Sequence, residues 1–262
     1  MDAGDRLAAV LRQLRELGLS ELYLDRLTAE EALTLAAARA SGAGSATRAD
    51  RAPGVATPSV SHGASGSAGG SGVEAGPDAT RLRVLAEQVS GCTRCRLSEG
   101  RTQVVFGRGS ADAGLVVVGE APGREEDRTG LPFVGPAGKL LDLLLLSVGI
   151  ERGSAYICNV LKCRPPNNRD PMADEVETCA PYLHAQLDLI APRVLLAVGK
   201  FAAQWLSGRE DSIGRLRGTI HEYRGVPVVA TYHPAYLLRS PHATRKTWQD
   251  LQRMRQVLDE HV

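Results

Sequence analysis

The chain has 262 residues, five of them cysteine, and its 31 Lys and Arg against 30 Asp and Glu give a formal charge of +1. That balance excludes a global basic field for nucleic acid, so any such contact must be a local patch. No apolar run reaches the roughly 18 residues of a membrane span, and an odd cysteine count in a chain opening MDAGDRLAAV suggests reduced thiols rather than a secreted disulfide framework.

Residues 5–40 read as helix, with Leu7, Val10, Leu11, Leu14 and Leu17 at three- and four-residue spacing. Thr28 and Glu31 form a capping-box pattern that opens a second helix, EEALTLAAARA. Residues 41–79 are Gly, Ser, Ala and Pro with almost no large apolar side chains. They bury too little surface to offset their ordering entropy, so a flexible linker is expected there. An amphipathic helix on such a tether suggests recruitment to a partner protein, against a helical pair that merely packs on its own domain.

From residue 80 to 262 the pattern is globular. GLVVVGEAP (114–122), AYICNVLK (155–162), VLLAVG (194–199) and VPVVATYHPA (226–235) read as strands, separated by helices over 135–150, 173–191 and 200–208, with RKTWQDLQRMRQVL closing the chain. Continuous apolar strands alternating with helices predict an α/β fold: a three-layer αβα sandwich with a mainly parallel sheet covered on both faces. Ligands bind such sheets beyond the carboxyl ends of the strands, and Glu120, Asn159 and His233 all fall near those ends.

Cys92 and Cys95 form a C-x2-C pair, and Cys163 and Cys179 follow far downstream in KCRPPNNRDPMADEVETC. Four thiolates from distant segments suit a soft metal or an iron–sulfur cluster, and spacing alone leaves zinc open. Cys158, on the Asn159 strand, reads as a small buried thiol. GPAGK offers a helix N-terminus where Gly135, Gly138 and Lys139 meet a phosphate, but lacks the spacing of a nucleotide P-loop.

GEAPGREEDRTGLPFVGPAG, NVLKCRPPNNRDP and HPAYLLR together resemble the motifs of the iron–sulfur uracil-DNA glycosylases called family 4, over roughly residues 82–255. The resemblance implies a uracil-DNA glycosylase-like fold and a monofunctional hydrolase that cuts the N-glycosidic bond of uracil in single- or double-stranded DNA. It favours a structural [4Fe–4S] cluster on Cys92, Cys95, Cys163 and Cys179. His233 is similar to the histidine that faces uracil O2, Asn159 to the residue that reads the base edge, and Phe133 to the stacking platform. Gly119, Glu120 and Ala121 would line the base; Glu120 would stand beside the attacking water and Glu126 near the C5 edge. Ala121 stands where other uracil glycosylases carry a water-orienting aspartate. Glu125 and Asp127 read as solvated acids at a helix start.

Lys139, Lys162, Arg164, Asn168 and Arg169 are expected on the DNA, with Leu237, Leu238 and Arg239 entering the space left by the flipped nucleotide and Arg215 and Arg217 adding phosphate contacts. The alternatives are a non-catalytic or covalently trapping iron–sulfur protein for uracil-containing DNA, and a redox protein. Covalent relatives carry Gln in the GEAPG turn and an extra Lys/Arg/His loop, whereas Ala121 and KCRPPNNR are similar to the hydrolytic type. No lyase motif is present. A bacterial cytoplasmic setting at the nucleoid, no membrane contact, a monomeric catalytic domain and a repair or replication protein as the partner of the N-terminal helix complete the expectation.

Overall fold

The computed structural model describes residues 77–260; the expected N-terminal helices lie outside them, as do all but three residues of the expected linker. Helix α1 (Pro77–Ser90) begins inside that linker. Pro77 at its first turn fits, since an opening proline gives up an amide that has no helical partner anyway.

Six strands form one sheet: β1 (Arg108–Gly109), β2 (Leu115–Gly119), β3 (Tyr156–Asn159), β4 (Val194–Val198), β5 (Ile220–Tyr223) and β6 (Val226–Thr231), in the order β1-β3-β2-β4-β6-β5. The four central strands run parallel, and the two edge strands are antiparallel. Both edges escape a hydropathy reading: β1 is two exposed residues, and β5 (IHEY) is half-polar and half-exposed. Edge strands need no apolar pattern, because they bury little.

The helices between strands are α2 (Leu97–Gly100), α3 (Arg124–Thr129), α4 (Pro136–Ser147), α5 (Ala173–Ile190), α6 (Lys200–Ser207), α7 (Ile213–Leu216), α8 (Pro234–Arg239) and α9 (Thr244–Glu260). The strand side chains divide by parity into two cores. Leu115, Val117, Ile157, Leu196 and Val229 pack with Leu140, Leu141 and Leu145 of α4 and Leu251 and Met254 of α9. Val116, Val118, Cys158, Leu195 and Ala230 pack with Leu183 and Leu187 of α5 and Ala202 and Leu206 of α6. A sheet buried on both faces explains why its strands lack polar alternation. Cys158 is fully buried in the second core, apart from the other thiols. Among the described residues no helix is long and apolar enough to cross a membrane.

The end of β6 is fixed by an interior ion pair. Asp250 of α9 accepts from the Arg217 guanidinium (2.8 and 2.9 Å) and from the Thr231 hydroxyl (2.9 Å), two residues before His233. Arg217 is therefore committed to the fold and not to phosphate, and its guanidinium also lies over the Tyr232 ring. Arg217→Met leaves a buried carboxylate without its cation and is expected to lower stability by about 3 kcal/mol. Urea unfolding checks this as a lower midpoint at unchanged slope.

Candidate active site

Asn159 ends β3 opposite Gly119 of β2 in the parallel register. The ladder continues past both strands, with Val160 N–H donating to Gly119 O and Leu161 N–H to Glu120 O, each at 3.0 Å. This fixes the GEAPG turn to the Asn159 segment. A Cβ on Gly119 would lie 2.3 Å from Asn159 Oδ1 and 2.7 Å from the Phe133 ring, so only glycine leaves room for both.

Phe133 is brought there by a strained loop. Its φ is 50°, a left-handed conformation costly for an aromatic residue. Two contacts hold it. Gly138 of α4 packs so tightly under the Phe133 carbonyl that a Cβ would come within 1.9 Å of the oxygen, and Glu126 Oε1 accepts from Val134 N–H (2.9 Å) and Gly135 N–H (3.0 Å). Glu126 therefore fastens the Phe133 loop with one carboxylate oxygen, a use the sequence does not reveal. Asp127 is also no solvated acid: it is buried and accepts from the Thr102 amide at 2.9 Å. Glu125 does stay on the surface, paired with Arg124 and Arg128.

His233 caps α8, its Nδ1 accepting from Ala235 N–H at 3.1 Å. That bond assigns the proton of the neutral ring to Nε2, which is then a donor. The ring stacks on Phe133 at 5.8 Å between centroids, and its Cβ side lies against Gly199 at the start of α6. Burial, helped by the Arg239 charge and opposed by Glu126, pushes the imidazole down to about 4. It is neutral at pH 7. The carboxamide, imidazole and aromatic ring thus converge on one place from β3, α8 and the loop before α4.

Two groups there are energetically out of place. Asn159 Oδ1 is buried with no hydrogen-bond partner, a condition that costs about 1–3 kcal/mol. Glu120 has its carboxyl raised to about 7, mainly by desolvation and further by the Asp170 charge. The Ala121 side chain packs against the cysteine cluster.

An open cleft runs alongside, lined by Arg124, Glu125, Glu126, Gly135, Pro136, Ala137, Arg164 and Asn168. Arg164 Nε donates to Asn168 Oδ1 at 2.7 Å, which aims the arginine across the cleft. Lys139 is exposed on the first turn of α4, and Arg239 is exposed with Leu238 half-buried on α8. Three expectations fail here. Arg169 makes a buttressing pair with the fully buried Glu175 (2.5 and 2.9 Å), tying its loop to the N-terminus of α5. Lys162 is buried rather than part of a basic surface, and Leu237 is fully buried in the core. Arg215 remains exposed, beside Asp211.

Cys92, Cys95, Cys163 and Cys179 line one cavity with Val89, Arg101, Val104, Lys162, Thr178 and Tyr182. Donors point at three of the sulfurs: Arg101 to Cys163 (3.3 Å), the Lys162 amide to Cys179 (3.3 Å) and the Tyr182 hydroxyl to Cys92 (3.2 Å). Burial raises the Cys179 thiol to about 11. Among the described residues no group of three or more His, Cys, Asp or Glu is arranged to hold a single ion; the four thiols surround a space. Arg101 and Tyr182 carry no sequence signal for this role.

A family model described as the uracil DNA glycosylase superfamily matches residues 106–252. A Type-4 uracil-DNA glycosylase of Archaeoglobus fulgidus is 44% identical over 178 residues, covering 65% of this chain and 89% of that protein. Type-4 uracil-DNA glycosylases of Thermotoga maritima and Sulfurisphaera tokodaii are 48% and 38% identical, covering 61% and 67% of this chain and 84% of each relative.

The raised Glu120 has a consequence for stability. An acid whose folded pKa exceeds its unfolded value weakens the native state as pH rises from the ordinary carboxylate range through about 7. Glu120→Gln removes that ionisation, so it should match the natural protein near pH 4 and be more stable at pH 8 by about 2 kcal/mol. His233 works in the opposite sense, destabilising below its ordinary range, but it is common to both proteins and cancels. Denaturant unfolding at the two pH values checks the difference.

Proposed function

The chain belongs to the uracil-DNA glycosylase superfamily, and we propose that the place shared by Asn159, Phe133 and His233 receives a uracil swung out of its DNA stack. The protein is a DNA repair hydrolase that excises uracil by cutting the N-glycosidic bond. The observation that carries the residue assignment is the buried, unpartnered Asn159 Oδ1 facing Gly119 and Phe133. Uracil N3–H would satisfy that oxygen, while the carboxamide N–H donates to uracil O4. Phe133 stacks on the base, and the missing side chain at Gly119 makes the space.

As the bond between N1 and the sugar breaks, its electron pair moves onto the base and concentrates on O2. A neutral His233 with its proton on Nε2 donates there, and that bond strengthens as the charge grows. Neutrality matters: an imidazolium would repel Arg239 and lack an Nδ1 acceptor for Ala235. Water adds to the sugar carbon as it gains cationic character, and Glu120 is the carboxylate that takes the water's proton. At pH 7 its raised pKa makes it a competent acceptor without leaving it fully charged. Glu126 acts by holding Phe133. Phosphates would meet Arg164, oriented by Asn168, together with the first turn of α4 (Gly135, Lys139) and Arg239; Leu238 would enter the vacated stack. Arg169 shapes the loop instead of touching DNA.

The four cysteines would hold a [4Fe–4S] cluster, the group favoured by the likeness to the iron–sulfur glycosylases, with zinc as the alternative. The donors are all sulfur and line one cavity. When bound, the cluster would staple the segment after α1, the exit of β3 and α5, which fixes the 164–169 loop; it takes part in no proton transfer.

A labelled single-stranded oligonucleotide with one uracil, incubated with the protein and then with alkali, should break at the uracil and stay intact where thymine replaces it. Gly119→Ala, which places a methyl where the base must lie, should lower kcat/KM by about a hundredfold or more. An oligonucleotide that stays whole after alkali with the natural protein would refute the assignment. Protein purified in air should be brown, with broad visible absorbance and about four irons per chain; a colourless preparation with one zinc would reject the cluster.

A further inference from the structure

Tyr236 is a large aromatic residue left on the surface of α8, with 36% of it exposed. A single exposed ring is ordinary, but this one is braced. It stacks on Tyr232 at 5.2 Å between centroids and 30° between planes. The Arg217 guanidinium lies over Tyr232 in turn, 5.2 Å from the ring centre. Arg217 itself is fixed by the buried Asp250 and by a hydrogen bond to the Lys246 carbonyl at the start of α9. Two rings and an arginine thus form one anchored stack. The rotamer freedom that a loose tyrosine gives up on binding is already lost in folding.

The brace belongs to the segment that carries His233. Tyr232 precedes that histidine, and the Tyr236 amide donates to the His233 carbonyl at 2.9 Å. The exposed ring therefore stands one helical turn, about 5 Å of rise, from the group that faces the flipped base. Arg239 lies a further turn along the same exposed side. Residues 232–249 include no Asp or Glu, while Arg239, Arg245 and Lys246 are all exposed. A flat ring rimmed by cations and free of acids suits an unpaired nucleobase flanked by its phosphates.

We propose that Tyr236 is a substrate-binding residue that stacks on the base adjoining the uracil in single-stranded DNA. In a duplex that base is already paired and stacked, so the contact belongs to single strands. The inference rests on the reading of His233 as the residue that faces uracil, and it extends the binding site by one nucleotide.

The test sets the natural protein, Tyr236→Leu and Tyr236→Phe against three single-stranded oligonucleotides. One has a normal base on each side of the uracil; the others carry an abasic tetrahydrofuran residue on its 5′ or its 3′ side. Tyr236→Leu should lower kcat/KM about tenfold on the first substrate. On one of the two abasic substrates the natural protein should fall by a similar factor, and Tyr236→Leu should then differ from it by less than about threefold. Tyr236→Phe keeps the ring and should follow the natural protein throughout. A ring that merely holds α8 and His233 in place would make Tyr236→Leu lose the same factor on all three substrates, which overturns the proposal. Should Tyr236→Leu not accumulate as folded protein, Tyr236→Met covers Tyr232 without a flat ring and is judged in the same way. Excision by the natural protein that is indifferent to both abasic neighbours overturns this inference alone. A uracil oligonucleotide left whole by the natural protein overturns the functional reading itself.

Discussion

Gly119 of β2 and Asn159 of β3 are register partners in the parallel sheet, and the carboxamide of one occupies the volume a side chain on the other would need. The rest of the site is arranged around that pairing. Shifting β3 by one residue would send Asn159 into the opposite layer and bring a core side chain to the strand end. The register is held by apolar residues on both faces, so the packing that stabilises the sheet also sets the aim of the functional group. The two further ladder bonds, from Val160 and Leu161, carry the alignment into the GEAPG turn.

Unfavourable terms collect in this small region. Phe133 is held at positive φ, Asn159 Oδ1 is buried without a partner, Glu120 is desolvated toward neutrality and His233 is kept from protonating. Each is compensated elsewhere: by the Glu126 carboxylate and the close approach of Gly138 for the Phe133 loop, by the Asp250–Arg217–Thr231 arrangement for the end of β6, and by two extensive apolar cores.

The cysteine cavity stands on the other side of the same short segment. Residues 159–163 supply in turn the unpartnered carboxamide, two core residues, a buried lysine and a thiol, so one strand exit serves the pocket and the cavity together. Ala121, expected in the pocket, packs toward the cysteines and shows how thin the wall between them is. The basic loop that follows is stiffened by Arg169 and Glu175, leaving Arg164 facing the cleft.

Periodicity and composition alone determined the layered α/β fold, the four central strands, the main helices and the placing of Asn159 and His233 near strand ends. Those properties are written along the chain, because a strand buried on both faces must be apolar throughout and a covering helix must repeat every three to four residues. The motifs singled out Asn159, Phe133 and the four thiols that line one cavity. Tertiary structure decided which of several similar residues are free to act. Arg164 and Arg169 are five residues apart in one basic loop, yet one faces the cleft and the other is locked to a buried glutamate. Lys162 looks like surface charge and lies in the interior; Asp127 looks like a solvated acid and accepts a backbone amide; Leu237 sits in the core beside the half-buried Leu238. Burial and pairing depend on neighbours distant in sequence, so neither the charge of a residue nor its spacing can reveal them.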